Sequence, residues 1–116
     1  MTRSFATSDE HAHFHLKPLR VPIIKQNVYE EARNLASELP GWSVVEADDA
    51  RLVLRCARAG NALAGTARVT ITIEGPDGIP SSTVHLVSES EGGVPGFASA
   101  RKAVLEFMKP FHRRVC

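Results

Sequence analysis

The stretch VTITIEGPDGIPSSTVHLVSES, residues 69–90, decides the fold. Val69, Ile71 and Ile73 alternate with Thr70, Thr72 and Glu74, and Arg68 extends the polar side. A side-chain period of two belongs to a strand with one buried face. GPDGIPSS then gathers turn formers. STVHLVSES resumes the alternation, with Val84 and Leu86 inward and Thr83, His85 and Val87 outward. Two alternating runs joined by a Gly/Pro/Asp connection predict an antiparallel hairpin.

The neighbouring segments extend the sheet. Upstream, WSVVEADDARLVLRCARA (42–59) reads as another hairpin turned at Ala47–Ala50, because Asp suits turns and the flanks are β-branched. Leu52, Leu54 and Cys56 then face the core, while Arg51, Val53 and Arg55 face away. AGNALAG (59–65) is a small-residue loop. Downstream, EGGVPG (91–96) opens FASARKAVLEFMKPFHRRV, where Phe97, Ala100, Val104, Phe107, Met108 and Phe111 form an apolar helical stripe. Before the first hairpin, Val28, Ala32, Leu35, Ala36 and Leu39 recur at helical spacing and Pro40-Gly41 stops the run, which predicts a helix over 25–39. HAHFHLKPLRV (11–21) alternates again, with Ala12, Phe14 and Leu16 against His11, His13, His15 and Lys17, and reads as a strand ended or held at an edge by Pro18. Residues 1–10 carry no period and read as a flexible arm.

The order strand, helix, four strands, helix predicts an α+β fold. A curved antiparallel sheet of about five strands carries two helices on one face, the longer lying across it. Residues 11–116 make one domain, a common size for a single core. Hydrophobic residues are 43% and charged residues 23%, close to the globular average, which argues against wholesale disorder. A net charge of +1 gives no global attraction to nucleic acid or anionic lipid. Cys56 sits in an apolar strand pattern and Cys116 ends the chain, a usage that fits a reducing compartment better than a disulfide scaffold. No apolar run approaches a membrane span and the N-terminus lacks a signal-type core, so the expectation is a cytoplasmic protein without membrane contact.

The segments ELPGWSVVEADDARLVLRC, VTITIE and STVHLVSESEGGVPGFASARKAVLEFM, within residues 24–108, resemble a bacterial family of domains of unknown function. The β-α-β4-α order also resembles the TATA-binding-protein-like fold and small helix-grip domains. In TATA-binding relatives the open sheet face meets the DNA minor groove through apolar residues and wedging phenylalanines. Here that face is predicted to carry Arg51, Arg55, Arg68, Thr70, Thr72, Thr83 and His85, with no aromatic among them.

Candidate chemistry is sparse. On a strand, histidines at i and i+2 are roughly 6.5–7 Å apart, so at most two of His11, His13 and His15 could share an ion. His85, Glu89 or Asp9 would have to complete it. Neither glycine-rich loop has phosphate-binding spacing, although an anion could sit near Gly96 and Phe97, where the second opens a helix. The serines at 81, 82, 88 and 90 form no nucleophile elbow with His85, and Glu30, Glu31, Glu38, Asp48 and Asp49 form no acid–base pair. Lys109, Arg113 and Arg114 complement a helix C-terminus. These observations favour a non-enzymatic binding or interaction domain without a cofactor. It would present its Arg/Thr face, or a pocket between sheet and helix, to a protein, a small molecule or a second copy. One alternative is nucleic-acid binding through Arg51, Arg55, Arg58 and Arg68. The other is a metal-dependent activity on the histidine strand.

Overall fold

The computed structural model describes residues 2–11, 13–59, 66–91 and 99–115. Strands β1 (Thr2–Ala6), β2 (Leu19–Val21), β3 (Trp42–Asp48), β4 (Val53–Arg58), β5 (Thr66–Glu74) and β6 (Ser82–Glu91) form one antiparallel sheet in the order β1-β6-β5-β4-β3. Helices α1 (Lys25–Glu38) and α2 (Ser99–Val115) share one core on its inward face. The α+β class and the strand–helix order over 19–115 are those the sequence predicts.

Alternation along the strands creates that core. Leu54, Cys56, Val69, Ile71, Ile73, Val84 and Leu86 are all buried, and α2 covers them with Val104, Phe107, Met108 and Phe111. α1 adds Val28, Tyr29, Ala32, Leu35 and Ala36. Each large side chain removed from water contributes about 1.5–3 kcal/mol, enough in sum to fix the register of every inward row. Burial also pushes the Cys56 thiol up to about 11, which makes it an inert core residue. At the far end of the core Arg114 clamps the helices together by pairing with Glu31 and Glu38 of α1.

The N-terminal reading requires correction. Residues 11–21 are not one strand: a single turn of 3-10 helix occupies Phe14–Leu16, and only Leu19–Val21 pair with the sheet. The alternation in HAHFHLK is short, and local bonds outcompete the ladder. Leu16 N–H donates to His13 O at 3.0 Å, and His15 N–H donates to the His13 ring nitrogen Nδ1 at 3.1 Å. Pro18 then has no N–H to give. Meanwhile Thr2–Ala6, which read as part of an arm, pair with Glu91–Val87 as β1. β2 pairs with Val84–Ser82 on the same edge of β6, so β1 and β2 form one strand line interrupted by the excursion 7–18. Ala12, the loop 60–65, EGGVPG from Gly92 onward, Phe97 and Cys116 lie outside the described residues.

Two turns show their chemistry. Gly41 adopts φ +79° after Pro40, where Trp42 N–H returns to Leu39 O and the chain enters β3. The β3–β4 turn occupies 49–52, two residues later than expected, and a bulge between Val44 and Glu46 shifts the register of the hairpin.

Candidate functional site

The outward sheet face assembles most of the residues singled out from sequence. Register places Arg55 beside Thr70, and Thr72 beside His85, while Thr83 is opposite Glu74 and Arg68 opposite Glu89. A cleft of about 500 Å³ lies on this face, lined by Val45, Arg55, Ala57, Arg68, Thr70 and Glu89. Arg51 stands apart in the β3–β4 turn, with its Nε 3.8 Å from Asp48. Arg55 donates to Glu46 at 2.9 Å. His85 turns toward the sheet edge, where its Nδ1 lies 2.5 Å from Thr7 Oγ1. Arg51, Arg55 and Arg58 of the cationic set proposed for nucleic acid are thus paired with Asp48, Glu46 and Glu106, while Arg68 makes no ion pair among the described residues.

The histidines separate. His11 stacks on Phe5 with ring centroids 4.8 Å apart, and its Nε2 lies 3.0 Å from Ala6 O. His13 and His15 approach to 5.7 Å, and His112 of α2 comes within 5.6 Å of His15. Because His13 Nδ1 accepts the His15 amide, Nε2 of the neutral ring holds its proton and offers no lone pair. Among the described residues no group of three or more His, Cys, Asp or Glu is placed to hold a metal ion. Burial first, then the cationic potential of His112, His13, Lys109 and Arg113, lowers the His15 pKa.

The inward face holds a polar cluster that sequence reasoning did not select. Arg58 has the same strand parity as Leu54 and Cys56, so it points toward α2 and not outward. Its Nε and Nη2 grip the Glu106 carboxylate with bonds of 3.1, 3.1 and 2.8 Å, and Trp42 Nε1 donates to the same carboxylate at 2.6 Å. Burial pushes Glu106 up, but the bonds from Arg58 and Trp42 outweigh it and hold the carboxyl below its usual range. A groove of about 370 Å³ runs beside the pair, bordered by Lys102, Lys109 and Arg113.

Two buried polar atoms here have no hydrogen-bond partner among the described residues: Arg58 Nη1 and Ser88 Oγ. Their rows are adjacent: Arg58 pairs with Ala67, and Ser88 pairs with Val69, which pairs in turn with Cys56. Strand spacing puts the backbones of Arg58 and Ser88 roughly 12 Å apart, two strands across and two residues along, with β5 between them. The side chains nearby are small, since Ala67 and Ala103 are both buried. Larger residues, Phe107, Phe111, Leu54 and Leu86, fill the rest of the interior. Strand parity alone would have placed Arg58 inward, and the sequence signal was an arginine in a row of core positions. Ser88 likewise continues the inward row of Val84 and Leu86, whereas no such signal marked Glu106.

In sequence, no family model matches the chain and no curated protein does. Solved structures match it along nearly its whole length. Ara h 8.0201 superposes with a TM-score of 0.61 at 10% identity, covering 99% of this chain and 95% of that one. The Zhui aromatase/cyclase from Streptomyces sp. R1128 gives 0.58 at 13%, covering 100% and 97%. A point mutant of Thalictrum flavum norcoclaurine synthase, bound to a transition-state analogue, gives 0.55 at 12%, covering 98% and 96%. At these identities the likeness is one of fold, a helix-grip arrangement of one antiparallel sheet around a long C-terminal helix. No helix among the described residues is long and apolar enough to cross a membrane.

Proposed function

We propose that the chain is a binding domain for a small organic molecule, held between the inward sheet face and α2 at the end where Arg58 and Ser88 stand. The observation that carries this reading is the pair of buried donors left without acceptors among the described residues, Arg58 Nη1 and Ser88 Oγ. A buried donor without an acceptor is costly, by about 1–3 kcal/mol, and a ligand oxygen at each would remove that cost. The Arg58 charge is already balanced by Glu106, so the fitting acceptor is an uncharged oxygen such as a carbonyl or hydroxyl. An anion there would meet the Glu106 carboxylate. Proteins of this architecture that act on small organic molecules, the aromatase/cyclase and the synthase among them, support the same choice.

Binding is favoured over turnover. Glu106, the acidic group at the site, is held by Arg58 and Trp42 in its ionised, hydrogen-bonded form, which makes it a weak general base. Trp42 is the sole tryptophan and touches the same carboxylate, so its fluorescence reports on the site. Titration with a neutral solvatochromic dye such as Nile red is expected to saturate and to shift Trp42 emission. Ser88→Val, which fills the space and removes the hydroxyl, is expected to weaken that binding about ten-fold or more. Unchanged dye affinity in Ser88→Val would rule the site out.

A further inference from the structure

Both helices pack on the inward face of the sheet, which leaves the outward face without a second layer among the described elements. We propose that this outward face joins two copies of the chain, related by a two-fold axis running along the seam between β5 and β6.

The composition of the face suits an interface better than a solvated surface. Its outward positions on β4, β5 and β6 include Val53, Arg55 and Ala57, then Thr66, Arg68, Thr70, Thr72 and Glu74, then Thr83, His85, Val87 and Glu89, with no lysine among them. Protein interfaces are enriched in arginine and depleted in lysine, whose flexible ammonium is costly to immobilise and desolvate. Val45, on the bulge at the rim of the cleft, is 70% exposed.

Charge fixes the arrangement. Arg68 and Glu89 are directly opposed across β5 and β6, yet neither makes an ion pair among the described residues, while Arg55 is already tied to Glu46. A two-fold axis along the seam exchanges the strands. Arg68 then lies over the partner's Glu89 and Glu89 over the partner's Arg68, and the next rows bring Thr70 onto the partner's Val87 and Thr72 onto the partner's His85. Sheets packed face to face in this aligned way are a common solution for covering an open face. Size agrees as well: four strands overlap over the nine residues of β5, a patch roughly 19 by 30 Å. A standard interface takes about 800 Å² of accessible surface from each partner, which a contoured patch of that extent provides.

Sedimentation equilibrium of the full chain tests this. The wild type is expected to behave as a dimer at micromolar concentration. Arg68→Glu alone, or Glu89→Arg alone, sets like charges across the axis and is expected to raise the dimer dissociation constant at least about ten-fold. The double variant R68E/E89R restores the pairing and the association. Thr70→Lys, a charge at the centre of the patch, also separates the copies, and circular dichroism checks that each variant remains folded. A monomeric wild type, single reversals without effect, or a double variant that fails to recover overturns the proposal. The ligand reading for the inward face stands or falls separately, because none of these substitutions touches Arg58, Ser88 or Glu106.

Discussion

The phenol of Tyr29 on α1 donates a 2.6 Å hydrogen bond to Asp49 in the β3–β4 turn, tying helix to hairpin at the end of the sheet away from α2's N-terminus. Burial first, and then Asp49, push the Tyr29 pKa up to about 12. An unfolded tyrosine ionises near pH 10. Between those values the native state keeps a proton that the unfolded state has lost, so stability falls as pH rises from about 10 through 12. Tyr29 is the only tyrosine, so absorbance at the phenolate band reads it alone. A midpoint at the ordinary value, with the fold intact, would contradict the buried bond. Tyr29→Phe is expected to lower stability by about 1–2 kcal/mol in urea denaturation.

Acid acts through His15. Its folded pKa is depressed by burial and by His112, His13, Lys109 and Arg113, so the unfolded state takes up the proton first as pH falls below the ordinary histidine value of 6.5. The stability conferred by neutral His15 is therefore complete above that value and lost as pH drops through the depressed one. His15→Gln should flatten the thermal-melting profile over that interval. An equally steep profile in the variant would locate the acid response elsewhere.

Ser88 and Phe107 make a contrasting pair, both 0% exposed. Ser88→Ala removes a hydroxyl that has no partner among the described residues and is expected to be neutral or stabilising, by up to about 1 kcal/mol. Phe107→Ala opens a cavity beneath α2 and is expected to cost about 3–5 kcal/mol. Chemical denaturation of both variants checks the assignment. A destabilised Ser88→Ala would mean that its hydroxyl is satisfied in solution.

Gly75 closes the β5–β6 connection so tightly that an added Cβ would stand 2.5 Å from the backbone oxygen of Ser81. Gly75→Ala must therefore move backbone, at an expected cost of about 1–3 kcal/mol, whereas Gly78→Ala meets open space and is limited to the strain of its φ of +70°. Comparing the two melting temperatures separates steric from conformational cost.

What could be read from the sequence was what repeats locally. Val28, Ala32 and Leu35 announce α1, and Val69, Ile71 and Ile73 announce β5, because burial of one face imposes its period on consecutive residues. β1 was hidden for the opposite reason: TRSFA has no apolar period, and its partner Glu91–Val87 lies at the other end of the chain. HAHFHLK misled in the reverse sense, showing alternation where a histidine side chain and a proline divert the backbone. On the outward face Arg55, Arg68 and Thr70 were found by parity. Arg58 was misplaced because its charge was given more weight than its position in the same alternation. Its partner Glu106 arrives from α2, and no local pattern links residues that far apart.

The interrupted edge of the sheet has a consequence for how the chain is made. β6 is paired along one side by β5 and along the other by β1 and then β2, and its outermost contact joins Thr2 to Glu91. β1 is synthesised well before β6 and must wait for it before it has a place in the sheet. Closing so long a loop favours slow folding relative to local hairpins, so the β3–β6 meander can assemble while the N-terminus is still unpaired. Until β1 docks, the edge of β6 is open, and a nascent chain is most exposed to strand pairing with its neighbours during that interval.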